Sequence, residues 1–90
     1  MRNDKLRGKE LREKIFETIA AKWPANVREV IKEMDMDEMN ISNVTKFKYH
    51  FDQLARVGRI RVKKIDRALV AWPKEIEKLR VVHQFMRGLE

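Results

Sequence analysis

Leu11, Ile15, Phe16, Ile19, Ala20 and Trp23 recur at steps of three and four, which predicts an amphipathic helix over about 5–22. Pro24 has no amide hydrogen and biases Trp23 toward extended geometry, so the helix is expected to stop there. Asn26-x-x-Glu29 has the spacing of a capping box, and Val27, Val30, Ile31 and Met34 carry a short second helix. That helix fades in DMDEMN, whose acids and asparagine favour a turn. A third helix over about 43–57, capped by Ser42 or Asn43, has the stripe Val44, Phe47, Phe51, Leu54 and Ala55. Gly58 supplies the left-handed residue that ends it.

From Gly58 onward the period changes from 3.6 to 2. Ile60, Val62 and, by continuation, Lys64 point one way, while Arg59, Arg61 and Lys63 point the other. Asp66-Arg67 forms the turn of a hairpin whose return strand covers about 68–72. Pro73 suits the first turn of a last helix, with Ile76, Leu79, Val82, Phe85, Met86 and Leu89 on its apolar face. Neither the short second helix nor a lone hairpin is stable by itself, so all must share one core, with the third helix central. The expected fold class is α+β, mainly helical: three helices and a hairpin over 1–73, then an additional C-terminal helix over 74–90.

Composition narrows the chemistry. Ninety residues make one small domain, and the absence of cysteine removes disulfides and thiolate metal sites. No apolar run reaches the length of a membrane helix, so a soluble, intracellular protein is expected. The net charge of +7 points to an anionic partner, nucleic acid before acidic lipid. A charged fraction of 39% with few glutamines also suits a heat-adapted source.

The stretch Lys48-Tyr49-His50-Phe51, then Leu54, then Gly58-x-Ile60, resembles the end of the recognition helix in winged helix-turn-helix regulators of the arsenic-responsive repressor (ArsR) type. Phe51 stands where leucine is usual, and Lys48 where a small polar residue is frequent. More loosely, the resemblance covers about 10–73. It implies a DNA-binding domain whose third helix enters the major groove while the hairpin, the wing, reaches the flanking backbone. Two departures stand out. The link DMDEMNIS is longer than the family's tight turn, and the cysteine pairs or histidine clusters of metal-sensing members are missing, which argues against a metal.

The residues point the same way independently. Opposite the apolar stripe, the third helix carries Ser42, Thr45, Lys46, Tyr49, Gln53 and Arg56, all hydrogen-bond donors and none acidic. A major groove accepts such a face, whereas an ordinary solvated face mixes in Glu and Asp. Thr45, Lys46, Tyr49 and Gln53 are the candidates for base edges. Ser42 and Asn43 would meet phosphate at the helix N-terminus, and Lys48 and Arg56 would hold backbone. From Asn43 to Arg67 there are eight cations, including Arg59, Arg61, Lys63, Lys64 and Arg67 of the hairpin, against two acids. Such concentration suits a polyanion, although cations also blunt an exposed edge strand. Neutralising about five phosphates would give a slope of log K against log salt near −4 to −5.

Other residues read as structural. His50 flanks the stripe and is expected to be packed and hydrogen-bonded; His83 stands alone; Trp23 and Trp72 are core plugs. Arg2, Lys5, Arg7 and Lys9 are expected to be a solvated helix start, with an arm touching DNA as the alternative. No phosphate loop, nucleophile–base pair or carboxylate cluster appears, so neither catalysis nor a cofactor is expected. Leu79, Val82, Met86 and Leu89 step 3-4-3, a coiled-coil seam broadened by Ile76, Val81 and Phe85, which predicts a homodimer on a pseudo-palindromic site; the alternative is a helix folded back on the first helix of its own chain. The expectation is sequence-specific double-stranded DNA binding in transcription regulation, in a cytoplasmic, nucleoid-associated protein. The rivals are a winged-helix interaction subunit of a replication or transcription assembly, which should expose apolar residues on the third helix, and a structured-RNA binder.

Overall fold

Three aliphatic side chains at i, i+4 and i+8, Leu11, Ile15 and Ile19, are buried along one side of α1 (Gly8–Lys22). The computed structural model describes residues 6–78, together with Arg87. Helix α1 opens later than the apolar pattern suggests, because Arg7 is extended and Gly8 takes φ +56°. It closes at Trp23, whose extended backbone is the geometry that Pro24 imposes on the residue before it.

The chain then forms β1 (Ala25–Asn26), two residues that the sequence pattern did not reveal. Asn26 also caps α2 (Val27–Glu33): its Oδ1 accepts from the Glu29 amide at 2.8 Å, and Glu29 Oε1 accepts from the Asn26 amide at 2.8 Å. The capping box is therefore formed as the spacing predicts. Helix α2 ends with Asp35 in the left-handed region (φ 58°); the Met36 amide donates to the Ile31 carbonyl at 3.1 Å.

The acidic link is stitched by its own polar groups. The Met39 amide donates to Asp37 Oδ1 at 2.9 Å, and Arg28 Nη1 donates to the Glu38 carbonyl. Helix α3 (Ile41–Arg56) begins two residues before the expected start. Its cap is Asn40, which accepts from the Asn43 amide at 3.2 Å, rather than Ser42 or Asn43. The physical reason is that the asparagine carbonyl oxygen reaches the amide three residues on, leaving Ser42 and Asn43 inside the first turn. Gly58 closes α3 at φ +80°, with the Arg59 amide donating to the Leu54 carbonyl at 3.0 Å.

Strands β2 (Ile60–Ile65) and β3 (Ala68–Pro73) pair antiparallel from Ile60↔Pro73 to Ile65↔Ala68, around a two-residue turn at left-handed Asp66 (φ 56°). Strand β3 also pairs with β1 through Ala25↔Ala71 and Asn26↔Val70, so the sheet order is β1-β3-β2. The architecture is α+β and mostly helical: three helices against a three-stranded antiparallel sheet. Phe47, Phe51 and Leu54 of α3 are fully buried among Leu11, Ile15, Ile19, Ile31 and Ile60. Truncating one such phenylalanine to alanine costs about 3–5 kcal/mol, which makes α3 the mechanical centre.

Pro73 closes β3 instead of opening a helix, because it pairs at the sheet end opposite Ile60 and needs no amide there. A 3₁₀ turn (Lys74–Lys78) follows, tied back by the Lys74 amide donating to the Arg59 carbonyl at 3.0 Å. Of the apolar face assigned to a C-terminal dimer helix, Ile76 lies half-buried in this turn. Leu79, Val81, Val82, Phe85, Met86 and Leu89 lie outside the described residues, as do His83, Arg2 and Lys5.

Candidate nucleic-acid interface

Burial of Phe47, Phe51 and Leu54 fixes which way α3 is rolled, and so which residues it turns outward. Ser42, Thr45, Lys46, Tyr49 and Arg56 are exposed, as is Lys48 at the margin; Gln53 is half-buried. The outward arc is thus the one expected, with three differences. Asn43 is half-buried and its Nδ2 donates to the Asp37 carbonyl at 3.0 Å, so it secures the link and has little to offer an anion. Asp52 is exposed one turn beyond Lys48 and brings a carboxylate to the edge of an arc otherwise rich in donors. Ile41 is 78% exposed at the first turn, an apolar contribution to the same face.

Strand alternation sorts the hairpin cations. Ile60 is buried and Val62 packs on the core, so this face of β2 looks toward the helices. Lys64 continues the same face past the core and lines a groove of about 580 Å³ between the hairpin, the first half of α3 and the start of α2. Lys48, Arg67 and Arg28 line it too, over a floor that includes Val44 and Leu69. Arg61 and Lys63 occupy the opposite face, Arg61 directly across from buried Trp72. Trp72 is a plug as expected, whereas Trp23 is only half-buried.

Arg59 departs furthest from its expected place. It precedes β2, and its guanidinium turns to α1, where Nη1 and Nη2 donate to the two oxygens of Glu13 at 2.6 and 3.1 Å. The same guanidinium lies over the Phe16 ring, 3.8 Å from its centroid. The hydrogen bond from Arg59 holds the Glu13 carboxyl below its ordinary pKa and raises that of Arg59. Its charge is therefore met within the protein. Lys46, Lys48, Arg56, Lys63, Lys64 and Arg67 form no ion pair among the described residues. Charge is segregated accordingly: from Ile41 to Lys74 nine cations face two acids, while eight of the acids fall between Glu10 and Glu38.

His50 is buried, and its Nδ1 accepts from Arg12 Nε at 3.1 Å. Burial lowers its pKa, and the nearby charges of Arg12 and Lys46 lower it further, so the ring is neutral at pH 7. Tyr49 meets it edge-on, with centroids 5.4 Å apart. Arg12 and Arg28 are the residues that sequence reasoning missed. Arg12 follows Leu11 at the edge of the α1 stripe, and Arg28 sits two residues into the capped helix, so each flanks a buried position.

Among the described residues, no group of His, Cys, Asp or Glu could hold a metal ion, and no helix is long and apolar enough to cross a membrane. The arrangement offers hydrogen-bond donors along one helix and, along the adjoining groove, four cations (Arg28, Lys48, Lys64 and Arg67) against the single carboxylate of Asp66, an excess that suits a long anion. No protein-family model matches the chain, and neither the curated proteins nor the solved structures compared with it include a match.

Proposed function

We propose that this chain is a winged helix-turn-helix domain that binds double-stranded DNA in transcription regulation, with α3 in the major groove and the hairpin as the wing. The observation that carries the reading is continuity. From Lys48, which lines the groove with Lys64 and Arg67, the exposed arc of α3 runs on through Thr45 and Tyr49 to Lys46 on the α1 side, and none of these cations has a carboxylate partner among the described residues. The order of helix, short helix, link, longer helix and hairpin is that of the winged helices which the sequence resembles. Ile41 fits the same role, since a thymine methyl takes an apolar contact in the major groove. No catalytic group or cofactor enters. Pairing of the segment after Lys78 between two copies would give a pseudo-palindromic target.

Selection from a pool of random duplexes tests the reading. An enriched half-site, bound with a steep salt dependence, is the expected result. Failure to retain any duplex at low salt removes it, and better competition by structured RNA replaces it.

One observation favours a protein partner instead. Met39 and Ile41, 74% and 78% exposed, sit together at the start of α3 beside Asp37 and Glu38. A domain docking through that corner would enrich no duplex and would lose its partner on Met39→Ser with Ile41→Ser.

A further inference from the structure

Arg12 and Arg59 are both half-buried arginines with a partner on a distant helix, and they differ in what that partner is. Arg59 is neutralised by a carboxylate, whereas Arg12 Nε donates to a histidine nitrogen that carries no charge. An arginine has five N–H donors, and Nε accounts for one; the outer fork of Nη1 and Nη2 has the geometry that grips two phosphate oxygens. Its neighbours one turn away on α1 are Gly8, Lys9, Ile15 and Phe16, so no acid shares its stripe, and no carboxylate among the described residues pairs with it. The guanidinium carbon lies 5.8 Å from the centroid of the Tyr49 ring, itself 54% exposed on the outward arc of α3. Lys46, exposed one turn before His50, faces the same flank.

We infer that Arg12, aimed by His50 Nδ1 and the Tyr49 ring, is a phosphate-binding fork on the α1 side of α3. The inference rests on the duplex-binding reading and extends it. Lys48, Lys64 and Arg67 lie along the hairpin side of α3, and Arg12 with Lys46 along the α1 side. A duplex seated on α3 would then be held through the phosphates of both strands that border the major groove. Orientation is the point of the device: a neutral acceptor fixes the direction of the fork while leaving its positive charge uncompensated.

Phosphate contacts do not depend on sequence, so the test uses a fluorescein-labelled duplex of random sequence, about twenty base pairs long, with anisotropy read across a salt series. Arg12→Ala should weaken binding about 5–10-fold at 0.1 M salt and make the slope of log K against log salt shallower by about 0.9. Arg12→Lys should keep the slope and lose about threefold in affinity, because an ammonium keeps the charge but neither holds the histidine nor grips two oxygens. A merely structural Arg12 would lower affinity through its unfolded fraction and leave the slope unchanged, and that result overturns the assignment. If Arg12→Ala does not fold, Arg12→Lys decides, and wild-type affinity in that variant overturns it. Wild-type protein that binds no duplex at low salt removes the wider reading, a different outcome from binding that ignores Arg12.

Discussion

Arg59 and Glu13, separated by 46 residues, meet in a two-point pair that links the exit of α3 to the middle of α1. The pair is surface-exposed, so salt screens it, but the Phe16 ring beneath the guanidinium adds contact that salt does not remove. Arg59→Ala is expected to lower the urea midpoint of unfolding while leaving duplex affinity nearly unchanged. The reverse pattern, intact stability with lost affinity, would return Arg59 to the set of phosphate contacts.

Among the cations of α3 and the hairpin, the groove side should matter most. Lys48→Ala, Lys64→Ala and Arg67→Ala should each weaken all duplexes alike and flatten the salt slope by about 0.9. Arg61→Ala and Lys63→Ala, on the other face of β2, should do less. Lys46→Ala with Tyr49→Ala should blur the selected half-site more than it weakens binding to random duplex. Equal loss on every sequence would show that neither residue reads bases.

Low pH should loosen the fold through His50. Its folded pKa lies below the ordinary 6.5, because burial, Arg12 and Lys46 all disfavour the imidazolium. The unfolded chain therefore binds a proton that the folded one resists, so this contribution is present above about pH 6.5 and is lost as pH falls through the folded value. Urea unfolding at pH 7.5 and pH 5 should show the decline, and His50→Leu should reduce it. A pH dependence that persists in full in that variant would assign it to other groups.

Gly58→Ala should cost about 1–2 kcal/mol, and a β-branched valine more, for a conformational reason. An added Cβ would meet only Lys74 Nζ at 3.8 Å, an ordinary contact, so crowding is not the cause; the left-handed φ of +80° is. Denaturant unfolding with an unchanged m-value checks this. Wild-type stability in Gly58→Ala would mean that the end of α3 reorganises freely.

What the sequence disclosed was whatever repeats or caps. The stripe of α3, the Asn26–Glu29 box, Gly58 and the Asp66-Arg67 turn all have local causes and stand where the pattern put them; in α1 only Leu11, Ile15 and Ile19 of the expected stripe are buried, while Phe16 and Trp23 are half-buried and Ala20 is exposed. Strand β1 was illegible because two residues carry no period, and its pairing partner lies more than forty positions away. Asn40, Ser42 and Asn43 cap equally well on propensity, and what distinguishes Asn40 is the hydrogen bond that its side chain accepts from the Asn43 amide. Within the candidate interface, the roll of α3 was readable from Phe47, Phe51 and Leu54. The fates of Arg59 and Arg12 were not, since each depends on one partner contributed by a distant helix.

The uneven width of the sheet has a mechanical result. Strand β3 is flanked on both sides only at Val70 and Ala71; beyond them the hairpin projects as a ribbon of two strands, held by its own pairs up to Ile65↔Ala68. Such ribbons twist more readily than wider sheets. Lys64 and Arg67 thus stand beyond the three-stranded trunk, where the sheet has the fewest backbone pairs, while Phe47 and Phe51 are fully buried behind it.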